Sequence, residues 1–132
     1  MGQARNILHH LVEAGSASVS TQTLSEFFTT ITRRITIRLP LDKAYEHLEI
    51  LIATFHVYEV TPITVLEAAR ATRDYQMSFW DAQIWAIAKV NQIRFVLTED
   101  LPGREMLEGV YFINPFQDHA KFMSLLKGDF RS

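Results

Sequence analysis

The chain has 132 residues, a formal net charge of −2 and 48% apolar residues, which is the size and composition of one packed globular domain. It contains no cysteine, which excludes disulfides, thiolate metal sites and thiol nucleophiles and is typical of a reducing cytoplasm. The charge balance gives no global attraction to nucleic acid, so such a contact would need a local patch or a bound cation. We find no signal-peptide pattern and no apolar run long enough to cross a bilayer, so we expect one cytoplasmic domain over residues 1–132 without membrane contact.

Hydrophobic spacing predicts three helices in the first part of the chain. The first helix has these apolar positions at helical spacing: Ala4, Ile7, Leu8, Leu11 and Val12. Gly15 is a natural stop for it, and residues 17–20 form a short extended segment. A second helix is predicted over residues 22–35, and Asp42 is predicted to cap the third.

Strands and helices alternate in the remainder of the chain. The fourth helix is predicted to start at Thr61, or else at Thr64 with Glu67 completing a capping box, and Ser78 is predicted to cap the fifth. We expect strands at 55–60, 93–97 and 110–113, and a last helix at 120–127. This alternation predicts an α/β domain with a parallel sheet covered by helices.

Three acidic residues follow predicted strands or open predicted helices. Glu26 lies early in the second helix, Asp81 in the first turn of the fifth, and Asp100 just after the strand that ends at Leu97. In a parallel α/β sheet these positions share one edge, where ligands bind. Three carboxylates there would repel one another unless they shared a cation, and Mg²⁺ or Mn²⁺ prefers such oxygen ligands. A metal held in this way can activate water against a phosphodiester.

Each acid also has a structural explanation. Asp81 could complete a capping box with Ser78, and Glu26 could be a solvated carboxylate favoured by the helix dipole. Asp100 could be an ordinary loop acid, since aspartate is frequent in turns. Only their combination at one predicted edge favours a functional site.

Basic and aromatic residues are predicted to be structural. Arg33, Arg34 and Arg38 lie around the end of the second helix, where cations are favoured, although they could touch phosphates. Trp80 and Trp85 are predicted to belong to the core or to a dimer face, and not to be platforms for base stacking.

Four segments together resemble the PIN domain family. Residues 19–28, 77–84 and 97–101 resemble the second, third and fourth acidic motifs of that family, and residues 109–116 resemble its ending. Their order and spacing are similar to those of bacterial PIN proteins of the VapC toxin type. The resemblance implies a three-layer α/β/α fold with a central parallel sheet, and a Mg²⁺- or Mn²⁺-dependent endoribonuclease. It also implies a homodimer, an RNA substrate and an antitoxin protein as partner.

The resemblance assigns roles to four residues. Glu26, Asp81 and Asp100 would be catalytic metal ligands, and Thr98 would support the site. The chain departs from the family at its start, because the first strand and the aspartate that ends it are missing, and in the family that strand is central in the sheet. Either the true start lies upstream, or another chain supplies the strand, or the sheet closes differently and leaves a catalytically dead relic. We therefore expect a ribonuclease of impaired activity, or alternatively a catalytically inactive PIN-like module that dimerises or binds a partner.

Overall fold

The computed structural model describes residues 10–13, 16–33, 39–98 and 103–114. The strands in this part of the chain are β1 His10–Glu13, β2 Ser16–Ser20, β3 His56–Tyr58, β4 Phe95–Leu97, β5 Met106–Leu107 and β6 Val110–Ile113. The helices are α1 Thr21–Arg33, α2 Leu41–Thr54, α3 Pro62–Tyr75 and α4 Phe79–Val90. Positions 35, 100 and 120–127, on which some of the expectations fall, lie outside the described residues.

The strands form one sheet in the order β3-β2-β1-β4-β6-β5. β2 pairs parallel with β3, and β4 pairs parallel with β6. β1 is antiparallel to both of its neighbours, β2 and β4, and β5 is antiparallel to β6. It follows that β2, β3, β4 and β6 all run in one direction. The expected α/β class with a largely parallel sheet is therefore confirmed at this level.

The strand β1 corrects the expectation for the start of the chain. Residues 10–13 form a central strand, in register with Val19 on one side and Leu97 on the other at His10, so the predicted first helix is wrong here. Leu11 is 0% exposed and Val12 is also buried, although successive strand residues point to opposite faces. A strand buried on both faces has consecutive apolar residues, and a short run of these cannot be distinguished from a helix by periodicity.

The strand β1 also forms the centre of the sheet. β1 lies between β2 and β4, so the middle of the sheet is occupied by a strand from the same chain. The three explanations for the departure from the PIN pattern stay predictions. The other predicted positions of the first helix, Ala4, Ile7, Leu8 and Gly15, lie outside the described residues.

The main hydrophobic core lies between the sheet and helices α3 and α4. The sheet contributes Leu11, Val96 and Phe112 to this core, and α4 contributes an almost continuous buried run from 82 to 88. The opposite face of the sheet carries a smaller buried cluster, which consists of Val12, Phe95, Leu97 and Ile113. Helix α1 packs against β2 and α2. The core therefore fixes α4 on the sheet, and β2 leads directly into α1.

Hydroxyl caps begin three of the four described helices. The Oγ of Ser20 accepts from the amide of Thr23 at 3.0 Å at the start of α1. The equivalent bonds at α3 and α4 run from Thr64 N to Thr61 Oγ1, at 3.3 Å, and from Asp81 N to Ser78 Oγ, at 3.2 Å. These bonds satisfy amides that have no partner within the helix. They confirm Ser78 as a cap and Thr61, rather than Thr64, as the cap of α3.

The predicted cap of α2 is wrong. Pro40 occupies the N-cap position without a side-chain hydrogen bond, and Asp42 lies inside the first turn. A carboxylate in the first turn is still favoured by the partial positive charge of the helix start, which explains why the residue type misled the prediction.

The hairpin of β5 and β6 is a feature that the sequence patterns did not predict. Its two turn residues, Glu108 and Gly109, have φ angles of 49° and 88°, as a tight two-residue hairpin turn requires. The Glu108 carboxylate accepts hydrogen bonds from Arg70 at 3.0 Å, from Lys89 at 2.5 Å and from the hydroxyl of Tyr75. The turn is thereby fastened to both α3 and α4.

Candidate active site at the carboxyl edge of the sheet

Buried polar side chains follow the strands that run in the common direction. Ser20 ends β2, Thr98 follows β4 and Asn114 follows β6, and all three residues are buried. The amide of Thr98 donates to the carbonyl of Ile113 at 2.9 Å, which extends the pairing of β4 and β6 by one residue. Because the carboxyl ends of these strands share one edge, polar groups are concentrated where α/β proteins bind ligands.

Helix α1 carries a polar stripe on its buried side. Gln22, Glu26 and Thr30 are four residues apart, so they lie on the same face of the helix, and all three are buried. Glu26 is only 6% exposed. Acidic side chains are rarely buried to this degree unless a partner or a cation compensates the charge. The alternative explanation of Glu26 as a solvated carboxylate is therefore wrong.

A cavity of about 320 Å³ lies beside Glu26. Its lining combines α1 residues with one residue from the start of α4, and these residues are Ser25, Glu26, Thr29, Thr30 and Trp80. The Trp80 side chain is 50% exposed. The cavity thus brings a buried carboxylate, several hydroxyl-bearing residues and an open aromatic surface into one place.

Two buried glutamines join the starts of α1 and α4. The side-chain amide of Gln22 donates to the backbone carbonyl of Trp80 at 3.2 Å. The side-chain amide of Gln83 donates to the side-chain carbonyl of Gln22 at 2.5 Å. Gln22 lies one turn before Glu26, and Trp80 immediately precedes Asp81. The first turn of α1, one turn before Glu26, is therefore hydrogen-bonded directly to the first turns of α4, where Asp81 lies.

Asp81 lies half-buried in the first turn of α4. Its contribution to the helix cap is made by the backbone amide, which donates to Ser78 Oγ. The carboxylate takes no part in that bond, so the cap alone does not account for an acidic side chain at this position.

The third predicted ligand, Asp100, lies outside the described residues. Within the part of the chain that the structure describes, no three histidine or acidic side chains form a group that could hold a metal ion. The shared site of Glu26, Asp81 and Asp100 therefore stays a prediction. The donor chemistry of the described residues fits Mg²⁺ or Mn²⁺, because Glu26 and Asp81 offer carboxylate oxygens and the starts of their two helices are hydrogen-bonded to each other.

The other sequence predictions for this region have mixed outcomes. Trp85 is 0% exposed and belongs to the core, as expected. Trp80 does not belong to the core, since half of its surface is open. Arg33 is exposed in the last turn of α1, whereas positions 34 and 38 lie outside the described residues. The glutamine pair was not predicted, although Gln22 and Glu26 at four-residue spacing formed a polar signal on the buried side of α1.

Among the described residues, no helix combines the length and the apolar character needed to cross a membrane. Comparisons of this chain with family models, with curated proteins and with solved structures gave no match.

Proposed function

We propose that this chain is a PIN-like, Mg²⁺- or Mn²⁺-dependent endoribonuclease of low activity, with Glu26, Asp81 and Asp100 as metal ligands and Thr98 as a supporting residue. One observation carries the proposal: the buried Glu26 lies one turn after Gln22, whose side chain is hydrogen-bonded to the helix start that carries Asp81. β4 ends at Leu97 at the carboxyl edge of the sheet, and residue 100 comes three positions later in the sequence. The PIN-like three-layer arrangement belongs to the same proposal.

The chemistry of the residues suits this reaction. A divalent cation would supply an activated water and would stabilise the charge that develops on a phosphodiester. The protein's own carboxylates would hold that cation, and the burial of Glu26 would strengthen the interaction, because charges are screened less away from solvent. The hydrogen bonds of Gln22 would hold the starts of α1 and α4 in a fixed relative position before the cation binds.

The direction of β1 supports a low rate. In PIN domains an aspartate at the carboxyl end of the central first strand supplies a further ligand. Here the central strand runs the other way, and its own acid, Glu13, pairs with Ser16 at the start of β2. Glu13 therefore lies at the opposite edge of the sheet from Ser20 and Thr98. A site with one carboxylate fewer would bind the cation more weakly and position water less well.

The decisive experiment is cleavage of single-stranded RNA by the purified chain with Mn²⁺, with Mg²⁺ and with a chelator. We expect slow cleavage that needs the metal and that Asp81→Asn reduces by at least about 100-fold, because an amide is a poor ligand for these cations. Asp81→Asn keeps the backbone amide that completes the Ser78 cap. Asp42→Asn, at an exposed acid in the first turn of α2, is the matched control and should keep wild-type activity. Cleavage that survives chelation or Asp81→Asn would refute the proposal.

A second candidate function is favoured by exposed apolar side chains on two helices. Leu41, Tyr45, Ile50 and Ile52 are exposed on α2, and Ile63 and Leu66 are exposed on α3. Large apolar groups in such numbers are typical of surfaces that bind another protein. The chain would then be an inactive module that forms a homodimer or binds an antitoxin-like partner.

Light scattering after size-exclusion chromatography separates the two candidates when it is combined with the cleavage assay. The interaction module predicts a dimer that Ile50→Lys or Leu66→Lys converts to a monomer, together with no metal-dependent cleavage. Thr54→Lys, at an exposed polar position of α2, adds the same single charge and is the control. A monomeric wild-type chain that cleaves RNA would exclude the interaction module.

A further inference from the structure

Trp80 has an unusual combination of a fixed backbone and an open side chain. It is the second residue of α4, and its carbonyl oxygen is held by Gln22 at 3.2 Å. Half of its surface remains exposed, and the side chain forms one wall of the cavity beside Glu26. A tryptophan side chain has only two rotatable bonds, so its ordering on a ligand costs little conformational entropy, and this position is suited to recognition.

The rest of the cavity lining indicates which part of a nucleotide would enter it. Ser25 and Thr29 are exposed and one helical turn apart on α1, and Thr30 adds a third hydroxyl group. No lysine or arginine is found among the described residues that line the cavity. A cavity with a carboxylate and without a cation disfavours phosphate, whereas an indole face and hydroxyl groups are suited to an uncharged base and its ribose.

We propose that this cavity is a nucleotide-binding subsite, in which Trp80 stacks on a base of single-stranded RNA while Ser25 and Thr29 hydrogen-bond its polar groups. The inference deepens the proposed ribonuclease function and rests on it, because Glu26 belongs both to the cavity wall and to the proposed metal site. The stacked nucleotide would be a neighbour of the phosphodiester that is cut. Trp80 would thereby determine affinity for substrate, and the carboxylates would determine the rate.

The two tryptophans of the chain make this proposal directly measurable. Trp85 is fully buried, so RNA that quenches tryptophan emission on contact must act on Trp80. The experiment titrates the full chain, in the presence of a chelator, with hexaadenylate and with an oligomer of the same length that lacks bases. Affinity is measured in parallel from the fluorescence anisotropy of dye-labelled hexaadenylate, with wild type, Trp80→Phe and Trp80→Leu.

We expect hexaadenylate to quench the emission and the oligomer without bases to leave it unchanged. Trp80→Leu should raise the Kd for labelled hexaadenylate about 5- to 100-fold, the range expected for the loss of one stacked base. Trp80→Phe should keep most of the affinity. In the cleavage assay with Mn²⁺, Trp80→Leu should raise KM with little change in kcat. A circular-dichroism melt of each variant checks that the exposed substitutions leave the fold intact.

Three outcomes would overturn the subsite: no quenching, quenching by the oligomer without bases, or equal affinity of Trp80→Leu and wild type. None of these outcomes would count against the ribonuclease proposal if metal-dependent cleavage persisted. Conversely, quenching and a Trp80-dependent Kd without any cleavage would support the subsite and count against the nuclease. Failure of the subsite proposal is therefore distinguishable from failure of the ribonuclease proposal.

Discussion

The side-chain amide of Gln83 lies 2.5 Å from the side-chain carbonyl of Gln22, and the side-chain amide of Gln22 in turn donates to the backbone carbonyl of Trp80. Both glutamines are buried, so water competes little for these bonds. Gln22 uses its carbonyl as an acceptor and its amide as a donor, and neither function can be supplied by an apolar residue of similar size. The pair therefore acts as a clamp between α1 and α4.

Removal of either member of the clamp should destabilise the fold. Gln22→Met keeps the volume but leaves the Gln83 amide and the Trp80 carbonyl without their partner, which should cost about 1–3 kcal/mol. Gln83→Met should cost less, and the double variant should cost less than the sum, because the two residues share one bond. Urea unfolding measures the changes. Glu49→Met, at an exposed position of α2, should stay within about 0.5 kcal/mol of wild type. Additive costs for Gln22→Met and Gln83→Met would contradict the clamp.

Residues 10–20 show which structural features the sequence pattern predicts and which it does not. The sequence predicts an extended segment over residues 17–20, and β2 covers it, whereas the role of Ser20 as the cap of α1 is not predicted. The strand β1 was mistaken for a helix because both of its faces are buried, which removes the alternation that identifies a strand. Its pairing with Val19 and Leu97 depends on residues distant in sequence, which no local pattern contains.

The central position of β1 can be tested with Leu11→Ala. Leu11 is 0% exposed and packs in the main core, so the substitution should cost about 2–5 kcal/mol through lost burial and a residual cavity. Ile50→Ala, at an exposed position of α2, removes a side chain of similar size and should cost less than about 0.5 kcal/mol. Urea unfolding of both variants makes the comparison. Equal effects would show that Leu11 does not lie in a central strand.

The acidic residues of the candidate site could be predicted from the sequence, whereas the hydrogen bonds that support the site could not. Asp81 could be placed in the first turn of a helix because the sequence predicts the cap of that helix, Ser78, and Glu26 could be placed early in a helix because of the apolar spacing around it. The glutamine clamp could not be foreseen, since its members lie 61 positions apart and glutamine is usually a surface residue. Similarly, the exposure of Trp80 depends on how α4 meets α1, and the sequence pattern alone favours the core or a dimer face.

The two tryptophans should respond differently to the same substitution. Trp85→Phe removes the Nε1–H that donates to the carbonyl of Leu107 at 3.0 Å and leaves a void in the core, with an expected cost of about 1–3 kcal/mol. Trp80→Phe changes a half-exposed ring and should leave the free energy of unfolding within about 0.5 kcal/mol of wild type. Thermal and urea unfolding of the two variants test this difference. A larger loss for Trp80→Phe than for Trp85→Phe would be inconsistent with the described packing.

Glu108 should make stability depend on acid pH. Hydrogen bonds from Arg70, and then from Lys89 and Tyr75, lower the pKa of the Glu108 carboxyl from its ordinary value of 4.5 to about 2. Because the pKa is lower in the folded state than in the unfolded state, this stabilisation is fully present above about pH 4.5 and is lost as the pH falls towards 2. The partly exposed position of the cluster limits its contribution through solvent screening, so we expect about 1–2 kcal/mol at neutral pH.

Glu108→Gln should therefore reduce the free energy of unfolding at pH 6 and have a much smaller effect near pH 2.5. Urea unfolding of wild type and variant at several pH values gives the two curves, which should converge as the wild-type carboxylate is protonated. Glu59→Gln, at an exposed acid just after β3, is the matched control and should run parallel to wild type at all pH values. If Glu108→Gln also ran parallel to wild type, the carboxylate would not stabilise the hairpin turn through its charge. Convergence would instead show that the β5–β6 turn is fastened to α3 and α4 by an ionised Glu108.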